Sequence, residues 1–214
     1  MTDFHYTLAD VLLGTEFLAA FIGTLYFYRL KNSHWKWFVV YLVIIFLQEL
    51  FWIKLSWFSR GTRTAYYTYI GIPIQYLFFY WLYASKSQDN KILFRISSFI
   101  FLSSIVFLNV FLGPTEVLLL STHIGITILI ALVILEYIKQ IQKDDILRFK
   151  ENKMFYVNAG MVIFYVGSYP FQLFAEELYK NHLDIYTIYY SYFLLSNSIM
   201  YLLFTASFIW GKTR

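Results

Sequence analysis

The sequence predicts an all-α membrane protein of seven transmembrane helices, and three observations predict it. Apolar residues make up 59% of the 214-residue chain, aromatic ones 23%, and charged ones only 14%; a soluble domain carries about a quarter charged residues. Seven continuously apolar stretches lie at about 8–28, 36–58, 67–84, 93–112, 117–138, 154–175 and 185–209. Each approaches the roughly 20 helical residues needed to cross a hydrocarbon core about 30 Å thick. Finally, basic residues crowd every second loop. The runs lack the apolar–polar alternation of barrel strands, so helix is the conformation that satisfies their backbone in lipid.

The first stretch is expected to remain in the protein, because the first basic residue is Arg29 and no basic region precedes the apolar run. Orientation follows from the loops. Arg29, Lys31 and Lys36 flank the first; Lys86, Lys91 and Arg95 the third; Lys139, Lys143, Arg148, Lys150 and Lys153 the fifth; Lys212 and Arg214 end the chain. That is thirteen of the seventeen basic residues, leaving Lys54, Arg60, Arg63 and Lys180 on the other side. The positive-inside rule then places the N-terminus outside and the C-terminus in the cytoplasm of a bacterial inner membrane. The pI near 9.0 reflects this asymmetry; its expected partner is the lipid bilayer, with anionic head groups along the basic strip, and no nucleic acid is implied.

Residues 1–214 read as one domain without an appended catalytic module. Stretches 1–3 and 5–7 share an orientation around an inverting fourth, and Lys36–Val40 opens the second stretch much as Lys153–Val157 opens the sixth. A three-plus-one-plus-three parallel repeat is therefore one arrangement of the chain.

Within the stretches, polar residues concentrate in the outer half. Glu16 lies about 12 Å below the outer end of the first, by the 1.5 Å rise per residue. The second carries Gln48 and Glu49, with Lys54 further out; the third carries Thr68 and Gln75 around Pro73. The fifth aligns Glu116, His123 and Thr127. Tyr165, Tyr169, Gln172 and Glu176 recur at helical spacing in the sixth, beside Pro170, and Tyr186, Tyr190 and Asn197 in the seventh. The inner half offers little besides Asn158 and Ser207. Ionisable groups within a bilayer usually face the bundle interior and mark function. The expected ligand site is therefore an outward-facing, tyrosine-rich polar cavity lined by Glu16, Gln48, Glu49, Gln75, His123, Tyr165, Tyr169, Gln172, Tyr190 and Asn197, closed below by aliphatic packing. Structural roles stand beside these: the glutamines can tie helices together, His123 can make one interhelical bond, and Tyr66, Tyr67 and Trp57 fit an interfacial belt.

Several chemistries are excluded or poorly matched. Cysteine is absent, so no disulfide, thiolate metal site or Cys nucleophile exists. The seventh stretch has no lysine for a retinal Schiff base. His5, His34 and His182 sit at helix ends, which leaves His123 alone for a histidine-rich zinc site. Glu16, Glu49 and His123 match metal ligands in type but not in spacing. No phosphate loop or serine-nucleophile motif is present, so no cofactor, metal or catalytic residue is assigned.

Met154–Val157, Phe164–Ser168 and Asn197–Phe204 up to Trp210 resemble a group of small seven-helix membrane proteins common in Bacteroidota. The resemblance covers about the last third of the chain and implies a bacterial host but no activity. The expected function is a ligand-binding sensory module acting with a signalling partner in the membrane or cytoplasm. The alternative is a small-solute transporter with alternating access, and the third is an enzyme of the outer leaflet.

Overall fold

A computed structural model describes residues 3–54, 60–142 and 149–212. Lys143, Arg148, Arg214 and Trp57 lie outside the described residues, as does the side chain of Lys54. Among the described residues the chain forms seven helices and no strand; one isolated parallel bridge joins Asn152 to Lys212.

Helix α1 spans Asp3–Leu30 and α2 spans Trp35–Lys54. Helix α3 is composite: Arg60–Tyr66 is α-helical, Tyr67–Gly71 widens to π, Ile72–Tyr80 returns to α, and Trp81–Ser87 is again π. Then come α4, Lys91–Phe111, and α5, Pro114–Gln142. Helix α6 runs through Lys153–Met161, a π segment Val162–Val166 and Gly167–Asn181, and α7 is Leu183–Trp210. Two of the π segments have a visible cause. Pro73 and Pro170 give no N–H to the carbonyl four residues back and crowd it with their rings. Those carbonyls belong to Tyr69 and Val166, each inside the widened turn that absorbs the misfit. Nothing comparable accounts for the π segment at Trp81–Ser87. Asn90 caps α4, its Oδ1 accepting from Leu93 N at 2.9 Å, and Asn152 caps α6 in the same way through Met154 N at 3.0 Å.

Five of the helices are long and apolar enough to cross a membrane: α1, α4, α5, α7 and the Trp35–Trp52 portion of α2. Helices α3 and α6 fall outside that set because the π segments divide them into shorter pieces. Apolar side chains also cover the outside of the protein; on α4, Ile92, Phe99, Val106, Phe107, Val110 and Phe111 are all exposed. A water-facing surface would not carry such a continuous apolar face, whereas lipid accepts it.

The chain divides into two compact units, residues 1–51 with 140–214, and residues 52–139. One holds α1, α2, α6 and α7, the other α3, α4 and α5, a grouping that does not follow the three-plus-one-plus-three boundary. In the four-helix unit, α7 packs along α1 and α6. His5 meets Ser191 and Gly23 meets Phe208, so α1 and α7 ascend together. Lys153 meets Ser207 and Gly160 meets Met200, so α6 opposes α7. Phe17 against Phe46 and Gly23 against Val39 set α1 and α2 antiparallel. In the three-helix unit, Thr68 bonds to Pro114 O, Tyr80 to Gly125 O and Ser87 to Glu136, so α3 and α5 are parallel. These directions are those of a chain that reverses at every crossing. Close approach rests on small residues: a Cβ on Gly125 would lie 2.6 Å from the Tyr76 ring, and one on Gly160 3.2 Å from the Met200 carbonyl.

Candidate functional site

The polar residues of the four-helix unit converge on Glu16. It sits midway along α1, about 20 Å from either end by the helical rise, and is only 5% exposed. The Tyr201 hydroxyl of α7 is hydrogen-bonded to its carboxyl, and Glu49 of α2 lies within electrostatic range. Tyr41 of α2 and Tyr165 of α6 complete the group, each within range of Glu16 or Tyr201. Tyr41, Tyr165 and Tyr201 are all buried, Gln48 is buried beside Glu49, and Glu49 itself is half-buried. Among the described residues no cation pairs with Glu16.

Two acids and three phenols therefore come from four helices. Each phenol can donate to a carboxylate and accept from a ligand. The arrangement can bind a polar group in an apolar surrounding, where such bonds lack competition from water.

The expected site residues separate into three groups. Glu16, Gln48, Glu49 and Tyr165 belong to the cluster or border it. Asn197 lies one turn from Tyr201 on α7, and its Oδ1 is buried without a hydrogen-bond partner. Tyr169, Gln172 and Tyr190 are half-buried in the same unit. Gln172 donates to Ser168 Oγ at 2.9 Å within its own helix, across the turn that holds Pro170. Tyr190 stacks on Tyr186 at 5.8 Å and lies 5.4 Å from the His5 ring. Glu176 is exposed and paired with Lys180 at 2.5 Å, a contact that holds its carboxyl below the usual range. Gln75 and His123 belong to the three-helix unit, where both are half-buried.

Sequence reasoning passed over Tyr41 and Tyr201. The signal was present: Tyr41, Ile45 and Gln48 share one buried face at helical spacing, and Tyr201 follows Asn197 by one turn. It also passed over Glu136 of α5, which is 2% exposed in the three-helix unit. Its Oε2 accepts from Ser87 Oγ at 2.6 Å and Gln88 Nε2 at 3.2 Å, and Lys139 Nζ stands 3.9 Å away. Lys139 in turn donates to the Ser87 carbonyl. This cluster closes the turn between α3 and α4, where Asp89 adopts a left-handed φ of 53°.

At the Trp210 end of the four-helix unit, aromatic rings pack among the buried aliphatic side chains Leu30, Val39, Leu42 and Val157. Phe38 lies 5.1 Å from Phe204, 5.5 Å from Phe208 and 5.8 Å from Trp35. Lys153, just before the sixth apolar stretch, is buried there with its Nζ donating to the Ser207 carbonyl at 3.2 Å. Loss of water around the amine lowers its pKa to about 8. The chain end is tied to the same place: Lys212 N donates to Glu151 O at 2.8 Å, and Lys212 Nζ pairs with the Glu151 carboxylate at 2.5 Å. Comparisons with family models, with curated proteins and with solved structures found no match to this chain.

Proposed function

We propose that this protein is a small-solute transporter of a bacterial inner membrane, with its N-terminus outside and its C-terminus in the cytoplasm. The solute binds at Glu16 and Glu49, between the phenols of Tyr41, Tyr165 and Tyr201. The observation that carries this reading is the buried carboxyl of Glu16 with a second carboxyl and phenols as its neighbours. Such a group is costly in lipid and earns its place by chemistry rather than by packing. Passage is favoured over binding alone because polar side chains continue past Glu16, through Tyr201, Tyr41 and Asn158, to Lys153.

A second reading, the sensory module, draws on the rings of Trp35, Phe38, Phe204 and Phe208, which pack tightly beyond those groups. It requires a signalling partner and no movement of solute.

A thermal-shift screen of small polar solutes on the purified protein tests the site. A solute that raises the melting temperature of the wild type and leaves Glu16→Gln unmoved supports it. Equal stabilisation of both proteins puts the solute elsewhere. Uptake of that solute into proteoliposomes then separates the readings, since a sensor binds without accumulation.

A further inference from the structure

Asn158 is completely buried in α6, and neither its Oδ1 nor its Nδ2 has a hydrogen-bond partner. A carboxamide held in this way gives up its bonds to water without replacement, a cost cores rarely accept. The serines and threonines nearby behave differently. Ser198, Thr205 and Ser207 return their hydroxyls to carbonyls of their own helix at 2.9, 2.9 and 2.6 Å.

The position of Asn158 is fixed by its neighbours along α6. Gly160 abuts Met200, the residue before Tyr201, while Lys153 reaches the Ser207 carbonyl. Asn158 lies between these two contacts, about 3 Å along the axis from Gly160, on the side away from Glu16. Lys153 is engaged with Ser207, and among the described residues neither that amine nor any other group hydrogen-bonds to the Asn158 amide.

We propose that Asn158 is a second binding station for the solute, one that receives an uncharged group carrying both a donor and an acceptor, a hydroxyl or a carboxamide. The inference rests on the transport reading, because a station between Glu16 and Lys153 has a use only if solute proceeds beyond Glu16.

The natural absence of cysteine makes the test direct. Asn158→Cys, Val157→Cys and Glu16→Cys are each exposed, in proteoliposomes, to the small neutral reagent methyl methanethiosulfonate. Val157 is the control, equally buried and adjacent in the helix. The station predicts that position 158 reacts at least about tenfold faster than position 157, as a site reached without unfolding should. Molar acetamide should slow the reaction at 158, and tetramethylammonium should not. Equal protection of 157 and 158 overturns the proposal and leaves the Glu16 site standing if position 16 reacts. Protection of all three removes the site reading itself. Slowing by tetramethylammonium alone overturns the assignment to an uncharged group. In parallel, Asn158→Leu should melt higher than the wild type, since it removes an unpaired polar group; a lower melting temperature would mean that the fold satisfies the amide, and would overturn the station.

Discussion

Glu136 in the three-helix unit and Glu16 in the four-helix unit are 2% and 5% exposed, yet their surroundings differ in kind. Glu136 accepts from Ser87 and Gln88 and has Lys139 at hand, so it is held by two hydrogen bonds and a cation. Glu16 faces another carboxyl and phenols. Burial alone therefore says little about what an acid does in this protein; the neighbours decide. A carboxyl met by donors and a cation fastens a turn, whereas one met by a second carboxyl and phenols has no cation to fasten to among the described residues.

The largest expected effect concerns the fastening carboxyl. Glu136→Ala leaves Lys139, Ser87 and Gln88 facing a gap, and removing one partner of a buried ion pair costs about 3–5 kcal/mol. Reversible unfolding in mixed micelles should show that loss. A cost below about 1 kcal/mol would place the pair with ordinary surface salt bridges and dissolve the contrast.

Next is the pH dependence set by Lys153. Burial lowers its amine to about 8 in the folded protein from the ordinary lysine value of 10.5. Between these values the unfolded chain binds more protons, so stability rises with pH across about 8 to 10.5 and is flat below 8, where both states are charged. The gain has an upper bound on the order of 3 kcal/mol. Lys153→Met should remove the slope; a slope that survives belongs to another group.

The third prediction sets packing in one unit against polarity in the other. Gly125→Ala would press a methyl group into the Tyr76 ring and should cost about 1–3 kcal/mol. Melting temperature in detergent is the measure, and an unchanged value would mean that α3 and α5 can separate at no cost.

Much of this was legible from the amino acids because lipid imposes length and apolarity on every crossing. Glu16 and Glu49 could be singled out as ionisable groups inside apolar stretches, and Tyr165 by its helical spacing with Tyr169, Gln172 and Glu176. Tyr41 and Tyr201 stand at helical spacing from Gln48 and Asn197, a weaker signal, since a lone phenol reads equally well as interfacial belt or as core. Gln75 and His123 are expected at the depth of Glu16 from the helical rise, but depth does not say which helices cluster, and those two fall in the other unit. Glu136 escaped because it stands one turn from Lys139 and reads as a helix end; only the course of the chain after Ser87 buries it.

The smallest expected effect is the most discriminating. Glu16→Gln keeps the shape of the side chain and an oxygen that can accept from the Tyr201 hydroxyl, while removing the repulsion from Glu49. Stability should stay within about 1 kcal/mol of the wild type, because no cation is abandoned and no cavity opens. The same isosteric change at Glu136 replaces an acceptor facing Ser87, Gln88 and Lys139 by an amide with one acceptor fewer, and should cost more. Measured side by side, the two glutamines test the comparison without any knowledge of the solute. If Glu16→Gln proves as damaging as Glu136→Gln, then Glu16 is itself a fastening group whose charge the fold requires. The transport reading, and the Asn158 station that rests on it, would then lose the observation that carries them.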